Sequence, residues 1–407
     1  MQHKKIIFGL IVIVLAAGVA GVSASTLDAS RAISHGVQEL SQAVPSWQQV
    51  NSNGFGDSQA GEVSAVEAFN GYLYAGTHNP SDPAQLFDGA QILRSAGGTA
   101  WTPVTQPGFG SSHDTRPPAI LDLTIFKGYL YASTGRGNAA QIWRSADGVN
   151  WGQVVNAGFG DPDIVELSMM TEYGGWLYVG ASKQDSEAQI WRTSTGDGNL
   201  SSWTQVALGA DPASVTGMVE FDGALYAAVE FESDAPAQIW HSYGGSWTTI
   251  VSDGFGDSST TLTGGMAEFL GYLYVGAGNT VNGAQLWRSN DGENWSQAIS
   301  PAFGDVNNLK VEMVSVFLNQ LYVSVKNAST GIEIWRSTNG TTWEQVNLDG
   351  FGDKNNTSSN FSNASAGFLG QLYAGTSNGL DGGELWRKQQ EGNIPGEFKS
   401  YLPLIFD

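Results

Sequence analysis

Along most of the chain, apolar and polar residues alternate in short runs separated by Gly, Asn and Asp. Alternation with period two places every second side chain on one face, so such runs predict β-strands with one buried face. Two runs recur almost unchanged. One is a Leu-Tyr strand, as in Gly71-Tyr-Leu-Tyr-Ala-Gly-Thr77 and Gly271-Tyr-Leu-Tyr-Val-Gly276. The other is an Ile-Trp-Arg strand, as in Gln141-Ile-Trp-Arg-Ser145 and Gln285-Leu-Trp-Arg-Ser289. A third run precedes each Leu-Tyr strand and ends in an aromatic residue, such as Phe69, Phe126 or Phe269. A fourth opens on tryptophan, and these tryptophans form a ladder: Trp47, Trp101, Trp151, Trp203, Trp247, Trp295 and Trp343. Their spacing is 44 to 54 residues. Four strands in that length is the size of one β-propeller blade.

The Leu-Tyr strand occurs seven times, at Leu73, Leu130, Leu177, Leu225, Leu273, Leu321 and Leu372. The sequence therefore predicts an all-β, seven-bladed β-propeller over residues 47–387. The last unit lacks a tryptophan strand after Arg387, whereas Trp47 precedes every other strand. Pairing the Trp47 strand with the last unit would complete it and close the ring, removing two exposed strand edges. Outside the propeller, residues 1–24 have the basic start (Lys4, Lys5), apolar run and small residues at Val22-Ser23-Ala24 of a signal peptide. An uncleaved membrane anchor is the alternative. Ile33, Val37, Leu40 and Val44 give residues 25–46 the spacing of a short helix, and residues 388–407 form a Gly/Pro-containing tail with an apolar end.

Composition narrows the possibilities. The chain has no cysteine, which removes disulfides, thiolate metal sites and cysteine nucleophiles. Its net charge is −21. Such a surface repels phosphate backbones and anionic lipid, so no nucleic-acid partner is expected, and membrane contact is expected only through an uncleaved N-terminal segment. A secreted or cell-surface monomer with a glycan or protein ligand is expected.

The turn before the tryptophan carries a family resemblance. Ser145-Ala-Asp147-Gly148-Val-Asn-Trp151 and Ser289-Asn-Asp291-Gly292-Glu-Asn-Trp295 resemble the Asp-box turns of neuraminidase-repeat propellers, a family that includes sialidases. The family pattern has one more residue between Asp and Gly. The resemblance implies a propeller. For a sialidase it also implies three arginines on a carboxylate, a Tyr/Glu nucleophile pair and an Asp acid. Six arginines (Arg94, Arg144, Arg192, Arg288, Arg336, Arg387) instead occupy one repeated position, which marks them as structural. Arg116 and Arg136 remain, both in unit two, and with His113 and Asp114 they form the expected ligand-binding group.

Two further sets of candidates emerge. Glu62, Asp122, Glu166 and Glu312 lie on or just before innermost strands, where a channel site would present a carboxylate pair for glycoside hydrolysis. A Gly-Phe-Gly-Asp turn or variant supplies Asp57, Asp161, Asp257, Asp305 and Asp353, and Gly209-Ala-Asp211 takes its place in one unit. A ring of these aspartates would suit Ca²⁺, which takes oxygen ligands. The leading expectation is a non-enzymatic binding propeller using its loop face. The alternative is an exo-acting glycoside hydrolase with one acidic channel site.

Overall fold

The structure is a computed structural model that describes residues 47–79, 89–110, 119–135, 140–183, 187–231, 234–359 and 364–388, with the side chains of 187 and 208–213 excepted. The expected signal peptide (1–24), the helical segment (25–46), nearly all of the tail (388–407) and the unit-two residues His113, Asp114, Arg116 and Arg136 lie outside the described residues.

The described chain is all-β and built from four-stranded antiparallel sheets, the construction of a β-propeller. Unit five shows the pattern: Thr260–Phe269, Tyr272–Asn279, Gly283–Ser289 and Ser296–Gln297 pair in sequence order. The first strands (Glu62–Phe69, Ala119–Phe126, Ile164–Tyr173 and their counterparts) each pack on the first strand of the next unit. Ser365–Phe368, the last of them, packs on Glu62–Phe69. Trp47–Gln49 pairs antiparallel with Leu385–Lys388, in the register Trp47↔Lys388 to Gln49↔Trp386. One strand, Trp203–Phe221, runs unbroken from the outer edge of unit three to the inner position of unit four. This is the connection where Gly209-Ala-Asp211 replaces the Gly-Phe-Gly-Asp turn, so nothing there forces the chain to bend.

The repeat residues hold neighbouring units together. Each Leu of the Leu-Tyr strand is buried in its own sheet, and in every unit but the sixth, where Tyr322 donates to Gln320, the Tyr reaches the Gly of the next unit's pre-tryptophan turn. A Cβ at Gly148 would lie 1.8 Å from the Tyr74 hydroxyl, and one at Gly292 would lie 2.0 Å from that of Tyr226. Glycine is required twice over there, because both positions also have positive φ. The repeated arginines brace the same joint. Arg144 stacks 4.5 Å over Tyr129 and donates to the Gly196 carbonyl, and Arg192 does the same with Trp176 and Gly244. In the turn itself Asp147 Oδ1 accepts the backbone N–H groups of Val149 and Asn150 at 2.8 Å, which holds its carboxyl well below the usual range.

The Gly-Phe-Gly-Asp turns lock the units on the other side. Phe109 stacks on Trp143 at 4.4 Å and meets Trp151 edge-on; Phe159, Phe255 and Phe351 repeat the stack on Trp191, Trp287 and Trp386. These phenylalanines sit at φ between 56° and 64°, a left-handed conformation costing roughly 1–2 kcal/mol in a residue with a Cβ. A sandwich between two indoles offsets that cost, because an aromatic pair contributes ~0.5–1.5 kcal/mol beyond burial.

Candidate active site

Residues that build the repeat are repeated; residues that do chemistry need not be. The fifth position after the buried Leu of each second strand reads His78, Gly135, Ser182, Glu230, Gly278, Lys326 and Ser377. Antiparallel pairing puts this position beside the start of the first strand, as in Glu62↔His78, at the same end of the sheet as the Gly-Phe-Gly-Asp turns. This end of the inner strands is therefore chemically asymmetric, although the sheets beneath it are alike.

Two carboxylates at this end are held by one unit. Glu62 Oε2 lies 2.6 Å from His78 Nδ1, with both side chains buried, and Glu62 Oε1 accepts from the Ser377 hydroxyl at 3.1 Å. Glu312 Oε2 accepts the Ser359 backbone N–H at 2.9 Å and its hydroxyl at 3.3 Å, while Lys326 Nζ stands 4.0 Å from Oε1. Ser377 and Ser359 both belong to unit seven, on segments joined by the Ser377 N–H to Ser358 carbonyl bond of 2.7 Å. Units one and six thus direct Glu62 and Glu312 toward the same pair of backbone segments. Nearby, Glu230 of unit four accepts from Lys310 of unit six at 2.8 Å and from the Thr263 N–H at 3.1 Å. His78, Ser359, Ser377, Lys326, Glu230 and Lys310 were not picked out from the sequence. For His78, Glu230, Lys326 and Ser377 the signal was departure from the repeat at a fixed register; Ser359 and Lys310 stand at other positions and offered none.

The other two expected acids have different surroundings. Asp122 is fully buried and accepts the Met170 N–H at 2.5 Å; burial pushes its carboxyl up to about 8, against the pull of that bond. Glu67, which is close enough to repel it, is pushed up to about 7, also by burial. Asp122 is thus sealed within the inner strands. Glu166 aligns with Gly135 of the preceding unit in a cross-unit backbone pair.

The turn aspartates are engaged locally. Oδ1 of Asp57, Asp161, Asp257, Asp305 and Asp353 accepts the backbone N–H two residues on, at 2.9–3.1 Å. Oδ2 takes Lys183 at Asp161 and an asparagine amide at Asp257, Asp305 and Asp353. Among the described residues no three His, Asp or Glu side chains converge to hold a metal ion. The Asp211 side chain lies outside those residues.

No family model matches the chain, and no curated protein matches it. Solved structures do. The polysaccharide lyase Uly1 matches with a TM-score of 0.50 at 12% identity, over 86% of this chain and 94% of the lyase. An α-L-arabinofuranosidase from Fusarium graminearum matches with a TM-score of 0.45 at 11% identity, over 84% of this chain and 98% of that one. A sialidase from Trypanosoma rangeli matches with a TM-score of 0.45 at 13% identity, over 74% and 58%. At these identities the likeness is one of fold, and only the first reaches a TM-score that carries weight. This match corrects the leading expectation of a non-enzymatic binding propeller, since the solved structure that shares the fold at that TM-score is a polysaccharide lyase.

Proposed function

We propose that the protein is a carbohydrate-active enzyme of the glycoside hydrolase type, with a single acidic site at the turn-bearing end of the inner strands. It works on a seven-bladed ring closed by the N-terminal strand. The ring is supported by the seven Leu-Tyr strands, the first-strand packing of Ser365–Phe368 on Glu62–Phe69 and the pairing of Trp47–Gln49 with Leu385–Lys388. Export to the cell exterior belongs to the same reading and rests on residues 1–24.

The observation that carries the function is the engagement of Glu62 and Glu312 by serines of one unit, with a buried imidazole on Glu62. Glycoside hydrolysis needs one group that protonates the leaving oxygen and another that activates water or attacks the sugar carbon. The Glu62–His78 couple can move a proton along their contact, with the carboxylate fixing the ring through Nδ1. Glu312 supplies the second carboxylate, kept from drifting by Ser359 and Lys326. A substitution that removes the proton-transfer group is expected to lower turnover ~10²–10⁴-fold. The test is reducing-sugar release from a panel of soluble polysaccharides by the full chain, Glu62→Gln, His78→Ala and Glu312→Gln. Loss of turnover in all three, with unchanged melting curves, is expected. Full turnover in the Glu62 and Glu312 variants would overturn the assignment. Products bearing a new double bond, seen by ultraviolet absorbance, would make the reaction an elimination instead.

A further inference from the structure

Six units place an indole on the third strand: Trp143, Trp191, Trp240, Trp287, Trp335 and Trp386. Each donates its N–H to the Gln or Glu two residues earlier, at 2.7–2.9 Å. Unit one departs from this. Gln91 stands at the acceptor position, but Leu93 occupies the place of the indole. Phe55 consequently keeps its edge-on partner, Trp101, at 5.3 Å, while the partner that stacks at 4.4–4.9 Å on Phe109, Phe159, Phe255 and Phe351 is missing.

A groove opens at that place, lined by Phe55, Leu93, Trp101, Gln49, Ser52 and Thr99 among others. Unit four supports the connection between defect and groove. It lacks the phenylalanine of the preceding turn, and a second groove opens there on Trp240 and Trp247. In unit one the walls are set in advance, because Trp101 Nε1 donates to the Val50 carbonyl at 2.9 Å and Gln49 Nε2 to Asn53 at 2.7 Å. Among the described residues, none that lines the groove is charged, although the chain carries a net charge of −21.

We propose that this groove is a second carbohydrate-binding site, which takes one uncharged sugar ring of a polysaccharide beside Phe55 and Trp101. The rings of Phe55 and Trp101 suit the C–H face of a sugar, and the neutral amides and hydroxyls in the lining suit its hydroxyl groups. An anionic sugar gains nothing from such a lining. The site lies between the outer strands of units seven and one, apart from Glu62 and Glu312. Only its ligand class rests on the enzymatic reading above.

Leu93→Trp tests the proposal by restoring the residue that the other units carry. The full chain, Leu93→Trp, Thr99→Glu and Glu62→Gln are compared by affinity electrophoresis in gels containing arabinan, galactomannan or xyloglucan. Retardation of the full chain and of Glu62→Gln in at least one gel is expected, with affinity reduced about tenfold or more in Leu93→Trp, as for loss of a buried anchor. The melting temperature of Leu93→Trp is expected to equal or exceed that of the parent. If Leu93→Trp folds poorly, Thr99→Glu, at an exposed rim position, takes its place. Equal retardation of all variants, or no retardation of the full chain, overturns the site. Free indole binding to the parent but not to Leu93→Trp, with no retardation in any gel, assigns the slot to an aromatic side chain of a partner instead. Cleavage without retardation removes this site alone, and retardation without cleavage removes the active-site reading alone.

Discussion

Asp122 and Asp147 are the same residue type under opposite physical regimes. Asp147 sits in solvent with its oxygens in the N–H groups of a tight turn, so its charge is favoured. Asp122 is enclosed by inner strands, so burial disfavours its charge despite the Met170 N–H. Because the folded chain raises the Asp122 carboxyl to about 8, it retains a proton that the unfolded chain gives up near the ordinary carboxylate range. Its contribution is therefore favourable in acid and is lost as pH rises through the folded value. The melting temperature is expected to fall between about pH 5 and pH 9, and to fall less in Asp122→Asn, with Glu67 supplying the remaining slope. Parallel curves for the two proteins would remove the buried charge as the cause. The turn aspartates were legible in the sequence because they recur beside a fixed Gly and Phe. The Glu62–His78 couple was not, because each residue looks incidental until the hairpin register sets them opposite one another.

Among elements, the strand Trp47–Gln49 has the most consequence for its length. Trp47 is buried, donates to the Val346 carbonyl at 2.8 Å and meets Phe351 edge-on at 5.4 Å, so it fastens units six and seven together. Trp47→Ala is expected to cost about 3–5 kcal/mol, the usual range for removing a buried indole. Chemical denaturation checks this, and a change within about 0.5 kcal/mol, as at an ordinary surface position, would make the strand an ornament. Period-two alternation made nearly every strand legible beforehand. The continuous strand Trp203–Phe221 was not, because turn chemistry was sought at 209–211 by analogy with the other units. The bulges of the first strands were also hidden. They turn Ser64 and Ser168 out of the alternation, so that their hydroxyls bond Ile120 and Val215 of the next unit.

For the molecule as a whole, the net charge is −21, and the turn aspartates Asp57, Asp257, Asp305 and Asp353 each accept a backbone N–H of their own turn. Calcium at millimolar concentration is therefore expected to shift the melting curve no more than NaCl of equal ionic strength, since both act by screening. A rise specific to Ca²⁺, reversed by a chelator, would restore a metal site to the turn face. The candidate site was the least legible part, because its residues come from units one, six and seven, which are close only after the chain has folded. That same wide separation bears on synthesis. The Asn51 side chain accepts from the Leu385 N–H, although 334 positions separate the two. The ribosome delivers Asn51 long before Leu385. The entropy of joining such distant segments is about 5 kcal/mol on the logarithmic loop-length scale, and no pairing across the seam offsets it until Leu385 has been made. A nascent chain must therefore carry an unpaired strand edge until Leu385–Lys388 is made, and pairing across this seam is what covers it.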